Sequence, residues 1–284
     1  MMMIAGLAIM LVSEAATLAG IEPFASWNTP ICWTGFILVA DAIVYRARGN
    51  SWIRSSPREF AALALASIPL WVVFEGYNLV IRNWIYVGLP ENTGLRLFGY
   101  AWSFATISPA IFEGAELAAI ARAPRRAGRA GRPGWDARPE PVEGRALLLI
   151  AVGLVMLASP FVVPGSIAPY FAAPVFLGFI FLLDPINKRL GEEGLTRDRT
   201  INLLLSGLLC GVLWEFWNYW SRAKWIYTVP IMQQWKIFEM PLPGYLGFPP
   251  FAVECFTMYI CLRAVVVRVL PGTARSLNRT VALS

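Results

Sequence analysis

The feature that most constrains this chain is a series of apolar stretches, each close to the roughly 20 residues a helix needs to cross the hydrocarbon core of a bilayer. They run at about 3–21, 31–47, 60–81, 98–121, 146–164, 170–186, 200–221 and 244–270. Backbone inside hydrocarbon has no water to bond, so stretches of this length must satisfy their amides internally, as helices. Composition points the same way. Of the 284 residues, 57% are hydrophobic and 15% charged, where soluble domains carry roughly a quarter charged residues. The sequence predicts an all-α integral membrane protein with about eight transmembrane helices.

Those spans divide into two matching sets of four. WEFWNYWSRAKWIY, from Trp214 to Tyr227, echoes VFEGYNLVIRNWIY, from Val73 to Tyr86. Trp84 to Glu113 is 29 positions and so is Trp225 to Glu254; upstream, GFILVAD from Gly35 matches GFIFLLD from Gly178. The spacing predicts a transmembrane repeat at 1–122, a basic cytoplasmic linker at 123–144 and a second repeat at 145–284. An even number of spans per repeat predicts that the two share one orientation, related by an axis along the membrane normal.

Charge sets the expected orientation. With a cytoplasmic N-terminus, segments 46–58, 122–145, 188–199 and the tail from 263 hold 19 of the 24 Lys and Arg. The opposite side holds Arg82, Arg96, Arg222, Lys224 and Lys236. The positive-inside rule then predicts a multi-pass protein of the plasma (inner) membrane with both termini in the cytoplasm. It also accounts for the net charge of +6 without a nucleic-acid partner. The first span lacks a basic n-region and reads as retained, not cleaved.

Several chemistries are excluded by composition. The chain has no histidine, which removes histidine metal sites, Ser-His or Cys-His nucleophile pairs and a histidine base. Cys32, Cys210, Cys255 and Cys261 have no CxxC spacing and lie in apolar runs, as small buried hydrophobes do. There is no glycine-rich phosphate loop and no aspartate-rich cluster for magnesium diphosphate. The sequence therefore predicts no metal and no cofactor. Carboxylate, amide, phenol and indole chemistry remains.

Acids inside spans are costly, and function is their default reading. Glu75 and Asn78 are three apart, as are Glu215 and Asn218, so each pair shares a helix face. Pro109 precedes Glu113 by four residues and Pro250 precedes Glu254 by four. A proline there predicts a kink, with the Ala105 and Leu246 carbonyls unpaired and room beside each acid. If the spans pack, Glu75 approaches Glu113 and Glu215 approaches Glu254, and two carboxyls in low dielectric cannot both ionise. The competing reading is interhelical hydrogen-bond glue, worth about 1 kcal/mol per group. Asp41 and Asp184 read as helix-end partners of Arg46 and Lys188. Glu116 sits one turn from Glu113 and could share its cavity, and Glu14 has no assigned role.

Aromatic residues crowd the same segments. Trp84, Tyr86, Trp225 and Tyr227 fall where interfacial anchors collect. Trp214, Trp217, Tyr245 and Phe248, with Phe112, Phe216, Trp220 and Phe251, could instead line an apolar cavity whose ring faces stabilise a cation.

In its order of elements the chain resembles the membrane-embedded carotenoid cyclases of the heterodimeric and fused lycopene cyclase type. WEFWNY at Trp214–Tyr219, KWIY at Lys224–Tyr227 and MPLPGYLGF at Met240–Phe248 stand in the places of that family's W-D-N-Y-like, V-W-S-Y-like and P-x-E-E segments. The likeness covers about 35 residues of each repeat. The paired acids are replaced by Pro243 and Gly244, and the nearest acid is Glu254. The resemblance implies activity on an isoprenoid lipid, of a related or diverged kind.

Together these features predict a cofactor-independent acid–base enzyme acting on a polyisoprenoid or carotenoid-like membrane lipid, of cyclase, isomerase or hydratase type. Glu254 and Glu113 are then the expected proton donors, Glu215 and Glu75 their partner carboxylates, and Asn218 and Asn78 the groups that orient them. Trp214, Trp217, Trp225, Tyr227, Trp84, Tyr86, Phe248 and Tyr245 are the expected substrate contacts. A proton-coupled transporter or channel, or a membrane scaffold, is the alternative.

Overall fold

A computed structural model describes residues 1–123, 143–192 and 194–269. Nearly all of the linker expected at 123–144 and most of the cationic tail lie outside the described residues. Seven helices among the described residues are long and apolar enough to cross a membrane. They are α2 (Phe24–Arg48), α4 (Pro57–Ile81), α5 (Thr93–Arg122), α6 (Glu143–Val162), α7 (Ala172–Arg189), α8 (Arg197–Trp220) and α9 (Phe248–Val269). The first expected span forms α1 (Met2–Leu18), apolar but only 17 residues long. A single turn, α3 (Trp52–Ser55), precedes α4, and 3-10 turns at Ala168–Phe171 and Leu242–Gly247 lead into α7 and α9.

Local sequence explains where the helices begin and end. Gly49 takes a left-handed φ of 76° and stops α2. Pro57 opens α4, where a missing N–H costs nothing. Asn92 and Thr196 cap α5 and α8, accepting from Leu95 N at 3.0 Å and Arg199 N at 3.0 Å. Asp41 accepts from Ile53 N at 2.8 Å, and its sequence match Asp184 accepts from Leu195 N at 2.9 Å. Each acid thus ties the end of one helix to the entry of the next. Asp184 pairs with Lys188 as expected, but the cation beside Asp41 is Arg54, at 3.9 Å, and not Arg46.

Matched segments make matched contacts. Gly6 and Gly35 let α1 and α2 touch backbone to backbone: a Cβ on Gly6 would lie 2.5 Å from the Gly35 carbonyl oxygen. Gly153 and Gly178 do the same for α6 and α7, a Cβ on Gly153 falling 2.8 Å from the Gly178 oxygen. Trp33 on α2 packs on Trp214 of α8 at 5.0 Å, and Phe176 on α7 stacks on Phe74 of α4 at 5.1 Å. One turn on, Phe36 meets Trp217 at 6.5 Å and Phe179 meets Tyr77 at 6.2 Å. The core is an aromatic seam in which α2 docks on α8 and α7 docks on α4.

Two four-residue strands close one end of the bundle. β1 (Trp84–Val87) follows α4, β2 (Lys224–Tyr227) follows α8, and the two pair antiparallel with Ile85 opposite Ile226. A second two-stranded pair, β3 (Lys236–Ile237) and β4 (Met240–Pro241), leads toward α9.

The two prolines sit differently in their helices. Pro109 lies inside α5, and just before it Ser67 of α4 enters the ladder, donating to Phe104 O at 2.5 Å and accepting from Ser108 N at 3.0 Å. Pro250 breaks nothing. α9 begins at Phe248, so Pro250 sits in its first turn, where no i−4 carbonyl of the same helix is lost. The kink expected there is replaced by the change from 3-10 turn to α-helix at Gly247–Phe248.

Candidate functional site

The β1–β2 sheet is the roof of a chamber. Directly paired residues of antiparallel strands point to the same face, so Trp84, Tyr227, Tyr86 and Trp225 share one side. All four residues line a cavity of about 480 Å³ beneath the sheet. Ile85, on the opposite face, is exposed. The cavity walls are Trp27 and Trp33 from α2, Tyr100 and Phe104 from α5, Phe176 from α7, Trp214 from α8 and Phe251 from α9, with Phe248 and Pro243 beside them.

Each strand is fastened to its own helix by the predicted asparagine. Asn78 donates to Trp84 O at 2.8 Å and accepts from Trp84 N at 3.2 Å and Asn83 N at 2.8 Å. Asn218 repeats the clamp on Trp225, donating to its oxygen and accepting from its nitrogen, each at 2.9 Å. The amides therefore bind strand backbone and do not orient the glutamates. With four-residue strands, such clamps supply what length does not.

The glutamates one turn earlier hold the tyrosines of the roof. Glu75 Oε1 accepts from Tyr86 OH at 2.6 Å, Trp71 Nε1 at 2.9 Å and Trp84 Nε1 at 3.2 Å. Glu215 Oε1 accepts from Tyr227 OH at 2.9 Å, and Trp225 Nε1 donates to the same phenol oxygen at 2.9 Å. Burial first, and Glu75 second, hold the Tyr86 phenol well above the ordinary tyrosine range. Burial first, and Glu215 second, do the same to Tyr227. Both phenols are protonated donors at any physiological pH. Behind each stands a carboxyl off the cavity wall that can exchange a proton with the phenol.

The structure does not bring together the acid pairs expected from sequence. Glu75 lies six residues from the sheet end of α4, whereas Glu113 lies twenty residues along α5 from that end. At 1.5 Å per residue the two differ in depth by about 20 Å. Glu113 is fully buried beside Asp41 and Glu116 instead, with no hydrogen-bond donor on either carboxyl oxygen among the described residues. Glu116 itself pairs with Arg48. Glu254 is fully buried next to the α7 backbone at Phe179 and within electrostatic reach of Tyr77, while Glu215 faces β2. Glu14 is met by the Asn28 amide at 3.4 Å. None of Glu75, Glu113, Glu215 and Glu254 lies on the cavity wall.

Of the expected substrate contacts, Trp84, Tyr86, Trp225, Tyr227, Trp214 and Phe248 line the chamber; Trp217 and Tyr245 do not. Trp217 buttresses Trp33 at 4.8 Å, and Tyr245 donates to Ile237 O at 2.9 Å. Sequence reasoning missed Trp71, Asn83 and Arg96. Trp71 was within reach of it, standing one helical turn before Glu75. No protein-family model, curated protein or solved structure matches this chain.

Proposed function

We propose that this chain is a cofactor-independent acid–base enzyme of the membrane, built from two parallel four-helix repeats. In this reading it rearranges a polyisoprenoid-like lipid held in the aromatic chamber. The observation that carries the reading is the pair of Glu–Tyr dyads, each with its phenol on the chamber wall and its carboxyl behind. Proton transfer runs through the phenol. The Tyr86 O–H bond breaks as a C–H bond forms on a substrate double bond, and a proton passes from the Glu75 carboxyl to the phenol oxygen. This leaves a carboxylate and a carbocation, which the surrounding Trp and Phe faces stabilise. Loss of a proton from a neighbouring carbon back through the dyad completes an isomerisation or cyclisation with no co-reactant. The tyrosine–glutamate dyads thereby take the donor role first assigned to Glu113 and Glu254.

The repeat arrangement is supported by the reciprocal contacts of the seam and by a roof strand from each half. Two sets of four helices related by an axis along the membrane normal place both strands on one side, outside the plasma membrane when both termini are cytoplasmic. The test is mass spectrometry of lipids from cells carrying the wild-type chain, Glu215→Gln with Glu75→Gln, or no chain. A product present only with the wild type supports the enzyme. Identical lipid profiles in all three would replace it with a carrier or scaffold.

A further inference from the structure

The chamber is not finished for a hydrocarbon. Asn83 is 2% exposed and lines the cavity, yet its side-chain oxygen and nitrogen both lack a hydrogen-bond partner. Trp33 is 1% exposed and lines the same cavity with its indole N–H unsatisfied, and Trp27, also on the lining, has the same orphaned donor. Buried donors left without acceptors are costly, so three facing one cavity call for a ligand that brings oxygen.

Charge says which kind of oxygen. Two cations line the cavity, Lys224 and Arg96. Lys224 is taken by Glu239 at 2.6 Å. Arg96 has no carboxylate within ion-pair distance among the described residues. It stands in the first turn of α5, a 30-residue helix whose N-terminus favours an anion. The unsatisfied Trp27 ring packs on Phe98 of the next turn at 5.5 Å, and Gly99 faces its indole nitrogen: a Cβ there would lie 3.2 Å away and crowd the N–H. Tyr100, one turn after Arg96, packs on Tyr86 at 5.2 Å, which sets this corner beside the first dyad. The matching position in the second half, twelve residues after Trp225 as Arg96 is after Trp84, is Ile237. Among the described residues the chamber therefore carries its unpaired cation at the Tyr86 end only.

We infer that its ligand is an amphipathic lipid with an anionic oxygen head, phosphate or carboxylate. Arg96 and the Trp27 N–H bind the head, the Trp33 N–H farther along α2 takes a second oxygen, and the tail lies along the aromatic wall toward Asn83 at the other end of β1. This rests on the chamber being the substrate site, and it assigns the first bond attacked to the head end, next to Tyr86.

The test is native mass spectrometry of the full chain in detergent with geranylgeranyl monophosphate, geranylgeraniol, squalene and inorganic phosphate as probes. The monophosphate should bind at least about tenfold more tightly than the alcohol or squalene, as loss of a charge-assisted bond requires. Arg96→Gln should remove that preference while leaving alcohol binding and the melting temperature unchanged, and Arg96→Lys should restore part of it. Inorganic phosphate at equal concentration should not displace the lipid. Equal binding of squalene, an undiminished preference in Arg96→Gln, or displacement by inorganic phosphate would each overturn the inference. Turnover is not read, so a squalene-binding chamber would sink this inference and leave the acid–base reading standing.

Discussion

Trp84 faces Tyr227 across the roof, and Tyr86 faces Trp225 in the same register. Trp84 is the sequence match of Trp225, and Tyr86 of Tyr227, so the pairing is reciprocal about Ile85 and Ile226. One four-residue strand from each half would be marginal alone. It persists because each tyrosine is bonded to its own glutamate and each tryptophan backbone to its own asparagine, so the roof is fixed from both sides.

Asn218→Ala removes two bonds to the Trp225 backbone and leaves that N–H and C=O without side-chain partners. The expected loss is roughly 1–3 kcal/mol, with a similar loss for Asn78→Ala. Denaturation in detergent, with amide exchange at Trp84 and Trp225, reads both. An unchanged melt with protected amides would mean that the clamps do not hold the roof.

Alkaline pH should loosen the protein through the same phenols. Tyr86 and Tyr227 keep their protons above the ordinary range, so above the unfolded tyrosine value of about 10 the folded state binds more protons than the unfolded. Stability from this source is full below about pH 10 and falls as pH rises through the folded values. Tyr227→Phe should flatten the alkaline fall. Glu75→Gln should bring the Tyr86 titration down, visible as tyrosinate absorbance appearing at lower pH.

Glycine replacements should divide by what a Cβ would meet. At Gly153 it would lie 2.5 Å from Leu182 N, so Gly153→Val should part α6 from α7 at a cost of about 1–3 kcal/mol. At Gly76 it meets nothing within 4 Å, and Gly76→Ala should stabilise α4 by about 0.5–1 kcal/mol. Melting temperatures that move in the same direction for both would contradict the backbone contact between α6 and α7.

Reporter fusions after residues 130 and 195 should report cytoplasm, and fusions near 92 and 232 the outside. A cytoplasmic signal at 92 would break the four-plus-four arrangement and put the chamber roof on the wrong side.

The helices were legible because hydrocarbon leaves the backbone no alternative, and Gly49, Pro57 and Asn92 mark their ends by local rules. The roof was harder to read. WIY at Trp84–Tyr86 looks like interfacial anchoring, and only its alternation of ring, apolar and ring, repeated at Trp225–Tyr227, hints at a strand with one aromatic face. The acid partners were not legible, because spacing along a helix gives the face a residue occupies but not its depth against the next helix. That is why Glu75 meets Tyr86 and Trp71 while Glu113 lies toward Asp41. Asn83 and Arg96 carry no local signal at all, and only the cavity shows that both line it.

A Glu–Tyr dyad that passes a proton to a lipid carbon, as proposed, leaves an isotopic record in that lipid. Cells are grown in D2O, and carbon-bound deuterium in the lipid product is followed after transfer of membranes to H2O. Wild-type membranes should replace one carbon-bound deuterium with hydrogen per turnover, and Tyr86→Phe with Tyr227→Phe should stop it in the molecules that remain folded. Full exchange in that folded double variant would contradict the account.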